Sequence, residues 1–143
     1  MGGALTLWLA SRHSDLSGIV CINPTTKSSA SKLAGARLAV KTGKKSLPAI
    51  GSDISDPAVK ESSYDATPLA AAVSLFADGL KPLSKTYGSI KVPLLLFTSK
   101  NDHVVNPKES DFLASKYAGN IERVMLERSF HVATQDVEKE IVN

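Results

Sequence analysis

The sequence predicts an α/β fold in which a mostly parallel β-sheet is flanked by helices. The runs GIVCINP and KVPLLLFTSK contain short apolar stretches of the kind that form buried strands. Helical patterns alternate with these stretches, as expected for parallel strands joined by helices. With 43% hydrophobic and 22% charged residues over 143 positions, the composition is that of one soluble globular domain.

The first predicted element is a helix over MGGALTLWLA. Gly2 and Gly3 stand at its start, and because glycine is a poor helix former, this pair favours a close approach to another backbone. The apolar residues recur at the spacing that places them on one face of a helix: Met1, Ala4, Leu5, Trp8 and Leu9.

The remaining elements of the predicted α/β core follow in the order strand, strand, helix, strand. GIVCINP predicts a buried strand that stops at Pro24. The apolar residues 94–97 predict a parallel strand covered on both faces. A helix opened by Pro107 and closed by Gly119 comes next, and IERVMLE predicts the last strand.

The segment from Thr25 to Lys91 is far longer than a simple crossover connection and is interpreted as an insertion. It contains a helix-favouring stretch at 28–42, the loop-like LPAIGSDISDP and the apolar helical pattern PLAAAVSLFADGL. We therefore predict an α/β core formed by residues 1–24 and 91–143, and a small helical cap over the carboxyl end of the sheet formed by residues 25–90.

Charge and cysteine content limit the class of protein. The net charge of +3 comes mainly from basic residues between 27 and 60, without interleaved aromatic residues, so no nucleic-acid partner is expected. Cys21 is the only cysteine, which favours a reducing, cytoplasmic compartment. The opening apolar run is too short to span a membrane.

Two loops that follow predicted strands carry the residues that favour catalysis. Asp102 lies in TSKNDHVVNP and His131 lies in ERSFHVATQD. Because the carboxyl ends of neighbouring parallel strands meet at one edge of a sheet, the two side chains can form a pair. In such a pair the carboxylate fixes the imidazole tautomer and stabilises its charged form. The histidines lie at no metal-ligand spacing, and we expect His103 to be an exposed neighbour.

The opening MGG before an apolar helix resembles the end of a G-x-S-M-G-G nucleophile elbow. With LLLFTSKNDHVVNP and SFHVATQD in the correct order, the chain resembles the second half of an α/β-hydrolase of the bacterial carboxylesterase or monoacylglycerol-lipase type. This resemblance implies that Asp102 is the triad acid, that His131 is the general base, and that the backbone N–H of Met1 belongs to the oxyanion hole. It implies no cofactor and no metal.

The nucleophilic serine of that family corresponds to the residue just before Met1, and the chain contains no G-x-S-x-G motif. We therefore expect a fragment of an ester hydrolase that lacks turnover as given, or alternatively a non-catalytic binding module. A flavodoxin-like nucleotide-binding domain is excluded because no glycine-rich loop follows the first strand. Ser11, Ser14 and Ser129 lie on no strand-to-helix turn and are interpreted as ordinary polar surface residues.

The resemblance also leads to an expectation about partners. The apolar helix at 69–80 favours a lipophilic small-molecule ester as substrate. In a complete hydrolase the strand at 19–22 pairs with the strand that carries the elbow, so here it is expected to leave a free edge. We therefore predict a homodimer that buries the edge at residues 18–22 or the face formed by Leu5, Trp8 and Leu9.

Overall fold

The computed structural model describes residues 1–143 and contains five strands and six α-helices. In chain order these are α1 (Gly2–Ala10), β1 (Ile19–Ile22), α2 (Ala30–Lys41), β2 (Ser46–Pro48), β3 (Ala66–Pro68), α3 (Leu69–Ser74), α4 (Lys81–Leu83), β4 (Leu94–Ser99), α5 (Lys108–Lys116), β5 (Ile121–Leu126) and α6 (Lys139–Val142). A π-helical turn (Leu75–Leu80) joins α3 to α4, and 3-10 turns cover Tyr87–Ser89 and Ala133–Gln135.

The main sheet has three parallel strands in the order β1-β4-β5. β4 is the central strand, and five of its six residues are buried, as its continuous apolar run predicted. β1 differs from expectation because its burial alternates, and Val20 is 53% exposed. The predicted alternation of strands and helices is confirmed, and the fold class is α/β.

The parallel register places the ends of the strands together. Ile22 lies opposite Phe97, and Ser99 at the end of β4 lies opposite Leu126 at the end of β5. The loops that leave β4 and β5 therefore start side by side at the carboxyl edge of the sheet. No helix is both long enough and apolar enough to cross a membrane.

The segment between β1 and β4 contains more than the helices that its sequence predicted. β2 and β3 form a short antiparallel hairpin in which Leu47 lies opposite Thr67. The end of the segment also joins the main core, because Leu80, Leu83 and Tyr87 pack in one cluster with Leu7 and Leu96. The division into a core and a cap at residues 25–90 stays a prediction.

Helix α1 leaves the face of Leu5, Trp8 and Leu9 exposed, as the sequence predicted for this chain, and packs another apolar face into the core. Ala4, Leu7 and Ala10 are buried, whereas Leu5 and Trp8 are 56% and 44% exposed. The helix is apolar on nearly all sides, so its sequence periodicity alone could not decide which face packs against β1.

The glycines at the start of α1 differ in their surroundings. A Cβ atom added to Gly3 would lie 2.7 Å from the Cβ of Pro24 and 3.2 Å from its Cα. A Cβ atom added to Gly2 would meet nothing within 4 Å. The close approach that the sequence predicted is therefore made by Gly3, where α1 crosses Pro24, two residues after β1.

Replacing Gly3 by alanine should destabilise the protein by about 1–3 kcal/mol, because the proline ring cannot move away without shifting α1 or β1. The matched variant Gly2→Ala should change the free energy of unfolding by less than about 1 kcal/mol, since alanine favours the helix and has space. Urea unfolding of both variants checks this, and equal effects of the two substitutions would contradict it.

Candidate active site

Asp102 lies in the loop after β4, and backbone N–H groups of the same loop fix the orientation of its side chain. Its side chain is 2% exposed. One carboxylate oxygen, Oδ1, accepts hydrogen bonds from the backbone N–H groups of Val104 and Val105, at 2.8 and 2.7 Å. This local turn, which aspartate forms readily, leaves the second oxygen free to act on another loop.

That second oxygen, Oδ2, lies 2.8 Å from Nδ1 of His131. The sequence prediction that Asp102 and His131 lie within hydrogen-bonding reach is therefore confirmed. An ionised carboxylate only accepts, so Nδ1 carries the proton, and Nε2 of the neutral imidazole keeps its lone pair. Nε2 has no hydrogen-bond partner, and the imidazole side chain is 30% exposed. The catalytic roles of the two residues stay predictions.

The loop that carries His131 is held by buried carboxylates. Six consecutive backbone N–H groups, from residue 127 to residue 132, donate to acceptors brought from other parts of the chain. The N–H groups of Glu127, Arg128 and Ser129 donate to Glu138, that of Phe130 to Asp136, that of His131 to the carboxylate of Asp53, and that of Val132 to the Asp53 carbonyl. Successive N–H groups of this kind form an anion-binding concavity, which the protein fills with its own side chains.

The same contacts decide the pKa values of these carboxyl groups. Burial alone would raise the pKa of Asp136, but hydrogen bonds from Ser55, Phe130 and Val137 outweigh it and lower the pKa to about 2. Burial would likewise raise the pKa values of Asp53 and Glu138. The hydrogen bonds donated to these two carboxylates outweigh the effect of burial, so both pKa values lie below their usual range. All three groups are therefore ionised at neutral pH.

The carbonyl groups of the His131 loop accept hydrogen bonds from residues at the ends of β1 and β4. Asn23 follows β1 with a φ of 47°, a left-handed conformation that asparagine tolerates. Its amide nitrogen donates to the carbonyl of His131 at 2.9 Å, and its amide oxygen accepts from the backbone N–H of Ser99 at 2.7 Å. The Ser99 hydroxyl in turn donates to the carbonyl of Phe130. The ends of all three strands thus converge on the candidate base.

An open pocket of about 380 Å³ is lined in part by His131. The segment between residues 49 and 68 supplies most of its wall, and Val104 and Val132 supply the rest. The lining is mixed, with apolar groups such as Ile50 and polar groups such as Tyr64. The pocket therefore has apolar walls for a lipophilic group and polar atoms that can orient an ester.

Met1 lies elsewhere in the structure and is 77% exposed. It lines a larger groove of about 420 Å³ against α1, together with Trp8 and Leu83. This groove shares no lining residue with the pocket beside His131. No hydrogen bond joins Met1 to the Asp102–His131 pair, and its role in an oxyanion hole stays a prediction.

Ser129 and His103 make contacts that the sequence did not indicate. Ser129 is fully buried and its hydroxyl donates to Glu138 at 2.9 Å, so the interpretation as a surface residue is wrong for Ser129. His103 is exposed as expected, but Nδ1 lies 2.7 Å from the carboxylate of Asp53. No cluster of three or more histidine, cysteine or acidic side chains has the geometry of a metal site.

Sequence reasoning missed four residues that hold the site: Asn23, Asp53, Asp136 and Glu138. Each carries a weak local signal. Asn23 stands between a strand and a proline, Asp53 lies in a loop rich in glycine and serine, and the two acids follow His131 by five and seven positions. Their partners lie up to 108 residues away in the chain, so their function is visible only in the folded protein.

Comparison with known proteins identifies the family of the chain. The family model described as "Serine aminopeptidase, S33" matches residues 1–138. The chain belongs to this family. A thermostable monoacylglycerol lipase from Bacillus sp. (strain H-257) is 36% identical over 147 residues, covering 99% of this chain.

Solved structures show the same fold. A structure from a study of LipS and LipT, two metagenome-derived lipolytic enzymes, is 34% identical with a TM-score of 0.88. The monoacylglycerol lipase of Paleococcus ferrophilus is 20% identical with a TM-score of 0.71 and supports the fold alone. The fold is that of the lipolytic α/β-hydrolases. The chain spans 56% of the Bacillus relative and 58% of the LipS/LipT structure.

The buried carboxylates predict a loss of stability in acid. Their pKa values are lower in the folded state than in the unfolded chain, so the unfolded state binds more protons as the pH falls. The stabilisation is complete above about pH 5 and is lost as the pH falls towards about 2. For Asp136, a pKa lowered from 3.8 to about 2 corresponds to about 2 kcal/mol.

Asp136→Asn should therefore lower the free energy of unfolding at pH 7 by about 2 kcal/mol and flatten its decline below about pH 5. Urea titrations between pH 7 and pH 3 measure both effects. Asp15→Asn is the matched control, because Asp15 is exposed and its carboxylate accepts no hydrogen bond. The same acid slope in Asp136→Asn as in the unsubstituted protein would contradict the assignment.

Proposed function

We propose that the protein is a carboxylic ester hydrolase that uses Asp102 as the triad acid and His131 as the general base. The observation that carries this proposal is the 2.8 Å contact between Asp102 Oδ2 and His131 Nδ1, which directs the free Nε2 away from the carboxylate. The relatives that are more than 30% identical are a monoacylglycerol lipase and a lipolytic enzyme, which supports ester chemistry.

The reaction follows from the order of these groups. Nε2 of His131 takes the proton from a serine hydroxyl as its oxygen attacks the ester carbonyl, and Asp102 stabilises the imidazolium that forms. The imidazolium then gives the proton to the departing alcohol, which leaves an acyl-serine. Water then attacks the acyl group while the same nitrogen takes its proton, and the imidazolium returns a proton to the serine oxygen as the acid leaves.

The serine corresponds, by resemblance, to a residue that directly precedes Met1 in a G-x-S-M-G-G elbow. No serine of residues 1–143 forms a hydrogen bond with His131 Nε2. The proposed activity therefore requires a chain that supplies such a serine, and residues 1–143 alone are expected to show no turnover. A role of the chain as a binding module without catalysis is the alternative outcome of the test.

The substrate class that we propose is a lipophilic ester with a polar alcohol part. The pocket beside His131 supports this, because it combines apolar side chains such as Ile50 and Val132 with the polar groups of Glu61 and Ser63. An acyl chain fits the first kind of surface, whereas hydroxyl groups fit the second. The Bacillus relative is a monoacylglycerol lipase, and a monoacylglycerol is an ester of this class.

The test compares the 143-residue chain with the protein extended by the upstream sequence in the same reading frame. Hydrolysis of a p-nitrophenyl ester and labelling by a fluorophosphonate are expected only for the extended protein. In it, Asp102→Asn and His131→Ala should each lower kcat by about 10³–10⁴-fold, because the imidazole loses its orientation or is removed. Turnover by the chain alone, or wild-type kcat in either variant, would contradict the proposal.

We also propose that the 143-residue chain forms a two-fold homodimer. β1 is an edge strand of the main sheet, and α1 exposes Leu5, Trp8 and Leu9. Because the N–H of Ile19 donates to Pro93 on the β4 side, the N–H of Val20 points to the open side. Backbone groups and apolar surface of this kind favour pairing with a second copy.

Light scattering during size-exclusion chromatography should give the mass of a dimer at micromolar concentration. Val20→Pro removes the outward N–H without breaking the β4 ladder, and Trp8→Glu places a charge on the α1 face. We expect one of these two variants to be monomeric, which identifies the buried surface. A monomer for the unsubstituted chain would refute the dimer.

A further inference from the structure

The carboxylate of Asp53 connects the two loops that form the candidate catalytic pair. Its Oδ2 accepts hydrogen bonds from the backbone N–H of His103 at 3.1 Å and from that of His131 at 3.0 Å. Its Oδ1 lies 2.7 Å from Nδ1 of the His103 ring. Asp53 is 7% exposed and comes from the segment between β2 and β3, 50 and 78 residues from its two partners.

The two backbone groups that share Oδ2 belong to the two halves of the pair. His103 directly follows Asp102, and His131 is itself the candidate base. One oxygen atom therefore sets the distance between the backbone of the loop after β4 and that of the loop after β5. A change in that distance changes the contact between Asp102 Oδ2 and His131 Nδ1, which links the side chains of the same two loops.

We propose that Asp53 is a positioning residue for the Asp102–His131 pair, through its hydrogen bonds to the backbones of both loops. This inference rests on the proposed ester hydrolysis for its kinetic consequences. Asp53 touches neither the Asp102 carboxylate nor the imidazole of His131 through a hydrogen bond, so it acts through the loops and takes no part in proton transfer.

Asp53 is itself held firmly enough to position other groups. Two residues further on, Ser55 donates through its backbone N–H and its hydroxyl to Asp136, at 2.9 and 2.7 Å. Asp136 also accepts from the backbone N–H of Phe130, next to His131. The ring of His103 packs edge-on against the ring of Phe130, with centroids 4.5 Å apart. Both Asp53 and, through Asp136, Ser55 are thus joined to the His131 loop, and Asp53 extends the connection to the loop of Asp102.

The kinetic test uses Asp53→Ala and Asp53→Asn in the extended, esterase-active protein. Asp53→Ala leaves the N–H groups of His103 and His131 without their acceptor, and we expect kcat to fall about 100-fold with KM changed less than about twofold. Asp53→Asn keeps one oxygen for these N–H groups but loses the charge and its contact with the His103 ring. We expect kcat to fall about 10-fold in this variant.

Asp56→Asn is the matched control. Asp56 lies in the same loop and is also acidic, but its carboxylate accepts only from the N–H of Ala58 within its own turn. We expect kcat and KM of this variant to stay within about twofold of the unsubstituted protein. A comparable fall of kcat in Asp56→Asn would show a general effect of the loop and would overturn the assignment to Asp53.

Proton NMR supplies a readout that does not depend on turnover. The Nδ1 proton of His131, held between imidazole and carboxylate, gives a low-field resonance, which we expect to weaken or vanish in Asp53→Ala and to persist in Asp56→Asn. Absence of esterase activity in the unsubstituted protein would refute the proposed function, while the resonance would still test the positioning.

Unchanged catalysis in the Asp53 variants would overturn the inference. If Asp53→Ala keeps both the kcat and the low-field resonance of the unsubstituted protein and only melts at a lower temperature, Asp53 merely stabilises the fold. If Asp53→Ala does not fold, Asp53→Asn decides by the same two measurements, and an unchanged kcat with an unchanged resonance would refute the positioning role.

Discussion

The loop that carries His131 depends on acceptors for its backbone N–H groups. The six residues that follow β5 point their N–H groups into the protein, and no strand or helix supplies acceptors for them. Buried N–H groups without acceptors cost about 1–3 kcal/mol each, so a loop of this shape cannot exist without a dedicated set of acceptors. The carboxylates of Asp53, Asp136 and Glu138 supply them, and the position of the imidazole follows from that supply.

Burying three carboxylates without a buried cation is unfavourable in itself, and the local geometry explains why it is tolerated. Each group accepts at least three hydrogen bonds, mostly from backbone N–H groups. Donated hydrogen bonds to an ionised group are stronger than neutral ones and hold the pKa of the carboxylate low. Charge therefore replaces hydrophobic packing in this part of the molecule, where the cluster of buried apolar residues is small and contains Phe97, Leu126 and Ala133.

The sequence predicted the sheet and the pair because both depend on local signals. β4 is a continuous apolar run, and Asp102 and His131 each follow a strand in an order that matches a known triad. The supporting contacts could not be predicted in this way, since Asp53 meets His131 across 78 positions of sequence. The hairpin of β2 and β3 was missed because each strand has three residues, too few for a periodic pattern. The residues that α1 buries were not predicted, because that helix is apolar on nearly all sides.

These contacts place a constraint on the segment between β1 and β4. It supplies most of the wall of the pocket beside His131, so changes in its exposed positions would alter that pocket without touching the pair. Residues 53–56 are different. Asp53 binds the loops of Asp102 and His131 directly, and the N–H groups of Ser55 and Asp56 donate to Asp136, which holds the His131 loop. Any movement of the segment that displaces Asp53 also displaces the backbone of His131. The geometry of the pair and the shape of the pocket therefore both depend on one continuous piece of chain, in which the wall residues other than Asp53 can vary while residues 53–56 must stay in place.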